Sequence, residues 1–113
     1  MIYVATKINS MDDIVFNRVL AFVDDVLFKY DFALNRDTDI RKDLKIRGDD
    51  AVEFLLAYAT QFNVDLSNFM ADEYIEDEGV NLIFLTNKKP LTLHHLEKGI
   101  IRGKLDRETI ESI

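Results

Sequence analysis

Between Met11 and Phe32, apolar side chains return at intervals of three and four residues: Ile14, Val15, Val19, Phe22, Val23, Val26, Leu27 and Tyr30. A half-buried strand would need strict alternation, so this spacing confines the segment to a helix with one apolar face. Asp13, Asn17, Arg18, Asp24 and Asp25 fall on the other side, which makes it a surface helix resting on a core and not a coiled-coil seam. Ser10 or Asp12 stands where a cap would start it.

The pattern breaks from Leu34 to Gly48, where Asn35, the Asp37-Thr38-Asp39 cluster and Gly48 predict a connecting loop anchored by Ile40, Leu44 and Ile46. A second helix is expected from Asp49 or Asp50. There Asp50 with Glu53 resembles a capping box, and Asp49, Asp50 and Glu53 sit at the positive end of the helix dipole. Val52, Leu55, Leu56, Ala59 and Phe62 supply its stripe, and Asn63 can close it in the left-handed conformation. A short helix is expected around Leu66 to Met70, then an acidic stretch from Asp72 to Glu78. The apolar run Val80 to Leu85 is short enough for a strand, with Ile2 to Ala5 as its only β-compatible partner. A last helix should start at Thr92 and stop near Gly103, with Gly99 weakening it from inside.

With 48% hydrophobic residues in 113 positions, the chain can build one core unaided, and it has no cysteine for a disulfide, a thiolate metal site or a nucleophile. No repeat, low-complexity tract or linker interrupts it, so residues 1–113 are read as a single domain. The start Met-Ile-Tyr-Val-Ala-Thr-Lys lacks the features of a secretory signal, and no apolar run approaches the roughly 20 residues that span a bilayer. A cytoplasmic protein is expected. Twenty-one acidic against 14 basic residues give a formal charge of -7, which disfavours nucleic acid and anionic membranes and favours a protein partner with a basic patch.

Motifs for chemistry are sparse. His94 and His95, as helical neighbours, point about 100° apart and are poorly placed to share a metal. Ser10, Ser67 and Ser112 lack the surroundings of a nucleophile elbow or a phosphate loop. A calcium loop beginning at Asp65 fails at Phe69, where an oxygen ligand is needed, and at Met70, where glycine is needed. The run Asp72, Glu73, Glu76, Asp77 and Glu78 therefore reads as a solvated acidic face or a flexible acidic loop. No acid, base and nucleophile converge, so no enzyme, metal or cofactor is expected.

The ungapped stretch from Thr38 to Phe62 resembles the heart of acyl carrier proteins. Asp43 and Leu44 match their loop pair, Asp50, Val52 and Glu53 match the start of their second helix, and Ala57, Phe62 and Leu66 fit later core positions. Met11 to Phe32 and Thr92 to Ile101 are similar, less specifically, to the family's first and last helices. The chain also resembles an uncharacterised bacterial group, domain-of-unknown-function family 1493. That group is carrier-like with Gly-Asp-Asp where the serine motif would stand, and it shares a phrase like Phe62-Asn63-Val64-Asp65 followed by an acidic segment with an aromatic such as Tyr74. The resemblance implies a mostly α fold, a carrier-like bundle of three to four helices with at most a short two-stranded β element.

In a carrier the serine hydroxyl is esterified by a phosphopantetheine arm. Gly48 occupies that serine's place here, flanked by Arg47 and Asp49, so the resemblance implies a carrier without its attachment point. Enzymes that use carriers read the acidic second helix with basic patches. Of that surface Asp50 and Glu53 remain, and with Asp49, which stands where carriers have a leucine, they are the candidate partner-binding residues, while Ala59, Thr60 and Gln61 stand where carriers bear further acids. The implied role is a noncatalytic module for an acyl-transfer or regulatory protein, as a monomer or weak dimer. The alternative is acyl carriage through Ser67 or by noncovalent binding.

Overall fold

The computed structural model describes residues 11–27, 29–76 and 88–113. Among them the fold is mostly helical, as expected, with five helices in place of three or four: α1 (Met11–Val26), α2 (Gly48–Phe62), α3 (Ala71–Tyr74), α4 (Leu93–Arg102) and α5 (Arg107–Glu111). The expected pairing of Ile2 to Ala5 with Val80 to Leu85 lies outside the described residues, as does Ser10. Asp12 falls inside α1 and does not precede it.

Two helical stripes are rotated from the positions expected. In α1 the buried residues are Phe16, Val19, Phe22 and Val23, whereas Ile14 is 45% and Val26 38% exposed. In α2 they are Ala51, Phe54, Leu55 and Tyr58, whereas Val52 and Leu56 are 42% and 57% exposed. Both segments carry more apolar residues than one stripe can hold, and the faces bearing the large rings face inward. Phe22 meets Phe54, Tyr58 and Phe62 at centroid distances of 5.3, 6.4 and 5.5 Å. Aromatic rings bury the most area per side chain, so they decide the rotation.

α1 ends six residues before Phe32. Beyond it the chain turns, and the Tyr30 hydroxyl donates to the Leu44 carbonyl at 2.9 Å. The loop anchors Ile40, Leu44 and Ile46 are buried as expected. The loop also pairs with the segment entering α4, since Ile40 N–H donates to Leu91 O and Leu93 N–H to Thr38 O, each at 3.0 Å. Leu66 to Phe69 forms a single turn, closed by Phe69 N–H to Leu66 O at 3.0 Å, and the short helix begins at Ala71. Asp65 explains the displacement: its carboxylate accepts the Ser67 N–H at 2.8 Å and fixes a turn there.

α4 runs as expected from a Thr92 cap to a left-handed Gly103. The Thr92 hydroxyl accepts the His95 N–H at 3.3 Å, and His95 Nδ1 accepts the Thr92 N–H at 2.9 Å. This is a capping box with histidine in the place usual for glutamate or glutamine. α4 packs on α1 and on α5. The Asp106 carboxylate starts α5 by accepting the Thr109 N–H at 2.8 Å.

Candidate functional site

The start of α2 carries the residues that the sequence singles out. Gly48 has φ +56°, a left-handed conformation that side-chain-bearing residues avoid, and its N–H donates to the Glu76 carbonyl at 2.7 Å. The expected capping box of Asp50 with Glu53 is absent. Asp50 is the third residue of the helix, and no side chain caps the start at Arg47. The helix begins three residues earlier than that box would place it, with Arg47 and not Asp50 at the N-cap, and the bond from Gly48 to Glu76 turns the chain there.

Asp49, Asp50 and Glu53 are all exposed. No ion pair or side-chain hydrogen bond to another described residue engages them, and the helix dipole favours their charge. They do not converge on one spot. Asp50 and Glu53 stand on the lip of a groove of about 740 Å³ between α2, the chain following α1 and the loop at 43–46. Asp49 borders a second hollow of about 470 Å³, between the start of α2 and α3, with Val52, Asp72 and Ile75. Between the two hollows runs an exposed strip of Asp49, Val52, Glu53 and Leu56, spaced as one helix face.

The groove floor is apolar and includes the buried Leu44, Ile46 and Phe54, and Val26 and Phe32 stand exposed at its mouth. Asp43 faces Asp50 and Glu53 from the loop side, its carboxylate held by the Asp39 N–H at 2.8 Å. Among the described residues Lys45 is the one basic residue on the rim.

The acidic run that begins inside α3 at Asp72 is not a solvated face throughout. Glu76 is fully buried and pairs with the nearly buried Arg41 at 3.2 Å, and the Arg41 guanidinium also donates to Lys88 O at 3.1 Å. Glu73 pairs with Lys89 at 3.0 Å and with Arg107, contacts that hold its carboxyl below its ordinary range. Asp77 and Glu78 lie outside the described residues. Arg41 and Glu76 were not candidates from the sequence. The partners are 35 positions apart, and no local pattern announces such a pair.

The histidines serve structure. His95 Nδ1 belongs to the α4 cap, and His94 Nε2 lies 3.9 Å from Glu97 Oε1. Buried Glu97 is clamped by Arg36 through Nε at 2.8 Å and a terminal nitrogen at 2.9 Å, and the guanidinium lies 4.5 Å above the Phe16 ring. Among the described residues no histidine and carboxylate side chains cluster in a way that could hold a metal ion. Ser67 is exposed in its turn, and the Ser112 hydroxyl donates to Thr109 O at 2.7 Å. No helix of the described residues is long and apolar enough to cross a membrane.

No curated protein and no solved structure matches the chain. A family model does, over residues 11–101, a span that takes in α1, the anchored loop, the start of α2 and nearly all of α4. The chain therefore belongs to the family described as a protein of unknown function, DUF1493.

Proposed function

We propose that this chain is a noncatalytic, carrier-like docking module that binds a basic patch on a protein partner through the start of α2. The observation that carries this reading is the freedom of Asp50 and Glu53. Neither carboxylate is consumed by a cap, and both stand exposed beside an apolar groove. Carboxylates on an exposed rim steer a basic partner and set its orientation more than they add affinity. The strip of Val52 and Leu56 beside them supplies apolar contact area that a purely solubilising acidic surface would not need.

The carrier-like part rests on the order of elements: a long first helix, a loop anchored by Ile40 and Leu44, and a second helix opening at the position of the carrier serine. A phosphopantetheine arm does not fit this opening. Gly48 offers no hydroxyl, and its φ of +56° disfavours any residue that would. Asp50 and Glu53 keep part of the acidic surface that carrier enzymes read while Ala59, Thr60 and Gln61 lack the rest, so the partner class proposed is an acyl-transfer or regulatory protein distinct from the ordinary carrier enzymes.

The test is charge reversal. The double variant Asp50→Lys, Glu53→Lys should fold normally and lose a co-purifying partner, with affinity falling about tenfold or more and most of the change in association rate. No partner, or one indifferent to the reversal, would end this reading. Incubation with a phosphopantetheinyl transferase and coenzyme A should leave the intact mass unchanged. A gain in mass would instead support covalent carriage at another residue, with Ser67 first to be tested.

A further inference from the structure

We infer that the groove beside Asp50 and Glu53 receives an amphipathic, basic helical segment of the partner, which inserts one bulky apolar side chain between lysines or arginines. This rests on the docking reading above and adds to it a place and a kind of ligand. Two independent features of the groove point to one occupant. Its floor of Leu44, Ile46 and Phe54 is apolar and reached through a mouth where Val26 and Phe32 remain exposed, so an apolar group entering removes water from both sides. Its rim is acidic from two directions, with Asp50 and Glu53 on α2 and Asp43 on the loop, against Lys45 alone among the described residues.

The two features are arranged for a helix. Asp50 and Glu53 are three residues apart on α2, so their side chains lie about 5–6 Å apart at Cβ. Basic residues a turn apart on a docked helix present their charges at the same interval, with the apolar face between them turned to the floor. This is the helix-in-groove mode, in which apolar anchors give affinity and flanking charges give register. The rim is also held in place. Asp43 is fixed by the Asp39 N–H, and Tyr30, on the far wall, is fixed by its bond to Leu44 O. A fatty acid would meet the same floor but place its carboxylate among three others, which argues against it as the occupant.

The experiment uses the full chain and two fluorescent peptides about four turns long. One is an amphipathic lysine and leucine helix, and the other has the same charge with glutamine at each leucine. Anisotropy should show the amphipathic peptide binding about tenfold tighter or more. Ala57→Phe fills the groove from α2, and Phe32→Ser removes an exposed residue at the mouth. Each should erase most of that advantage while leaving the polar peptide unchanged.

Phe32→Ser alters a surface position, so it stays informative if Ala57→Phe disturbs folding. If Asp50→Lys, Glu53→Lys weakens both peptides but the groove variants change nothing, the groove inference falls and the docking reading stands. If neither kind of variant matters, both fall. Equal affinity for the two peptides overturns the inference. So does displacement of the amphipathic peptide by decanoate, which would assign the groove to an acyl ligand, or dissociation of self-associated protein by the groove variants, which would assign it to a second copy of the chain.

Discussion

At Gly48 the backbone occupies the left-handed basin, where a Cβ crowds the following carbonyl. Gly48→Ser should therefore destabilise the chain by about 1–2 kcal/mol, read as a lowered urea midpoint, with Gly48→Asn losing less because asparagine tolerates this conformation. Gly99 is constrained for a different reason. A Cβ there would collide with the Tyr58 hydroxyl and lie 3.3 Å from Leu105 Cδ1. The hydroxyl cannot easily withdraw, because it donates to Leu96 O at 2.7 Å in a buried site. Gly99→Ala should cost about 1–3 kcal/mol from overpacking. Tyr58→Phe should recover part of that loss, a coupling that a double-mutant cycle in denaturant would measure. The sequence marks Gly99 as a weak point of α4. Its role as the space for Tyr58 depends on two helices meeting and cannot be read locally.

Among the elements, α4 was the most legible, because both of its boundaries are local chemistry: a threonine cap and a left-handed glycine. α1 and α2 were legible as helices but not in their rotation. Either of two apolar stripes could have faced inward, and the contact of Phe22 with Phe54, Tyr58 and Phe62 selected one. α5 escaped the apolar pattern because five residues carry too little periodicity, although Asp106 as a cap with Glu108 in the first turn was a usable signal.

The cap of α4 also gives the molecule a pH response. Burial and the neighbouring His94 lower the proton affinity of His95 below its ordinary pKa of 6.5, and Asp39 opposes this only in part. Between the lowered value and 6.5 the unfolded chain takes up a proton that the folded chain refuses, so stability rises with pH there. The contribution is complete above about 6.5 and is lost as pH falls toward the folded value. Protonation also removes the Nδ1 lone pair that accepts the Thr92 N–H. His95→Gln retains a capping-box residue. Its urea midpoint should lack this slope between pH 7 and 5. Asp65, Glu73 and Asp106, whose carboxyls are held below their ordinary 3.8 to 4.5, lose their contributions only at lower pH and in both proteins alike.

For the whole molecule, the loop between α1 and α2 is the joint on which other parts meet. Arg36 ties it to Glu97 of α4, Arg41 ties it to Glu76 after α3, and its backbone pairs with the segment at Leu91. None of these links was legible, since they join residues 61, 35 and 51 positions apart, whereas the apolar anchors Ile40, Leu44 and Ile46 were. The candidate acids Asp49, Asp50 and Glu53 were legible through their position at a helix start, but the groove beside two of them was not, because it needs the end of α1 and the loop in place. Glu76→Gln should be the most damaging of the substitutions considered, at about 3–5 kcal/mol, because it removes the buried carboxylate charge that faces the Arg41 guanidinium at 3.2 Å. Chemical denaturation should show it as a loss of midpoint with an unchanged slope.

Under the docking proposed above, Glu76 acts indirectly. Its carboxylate holds the loop through Arg41 while its carbonyl holds the first amide of α2, so one residue fastens both banks of the surface that Asp50 and Glu53 border. If the proposed partner exists, a genetic screen scored on loss of its binding should return Arg41 and Glu76 together with the rim acids. Solubility of each variant would separate the fastenings from the contacts.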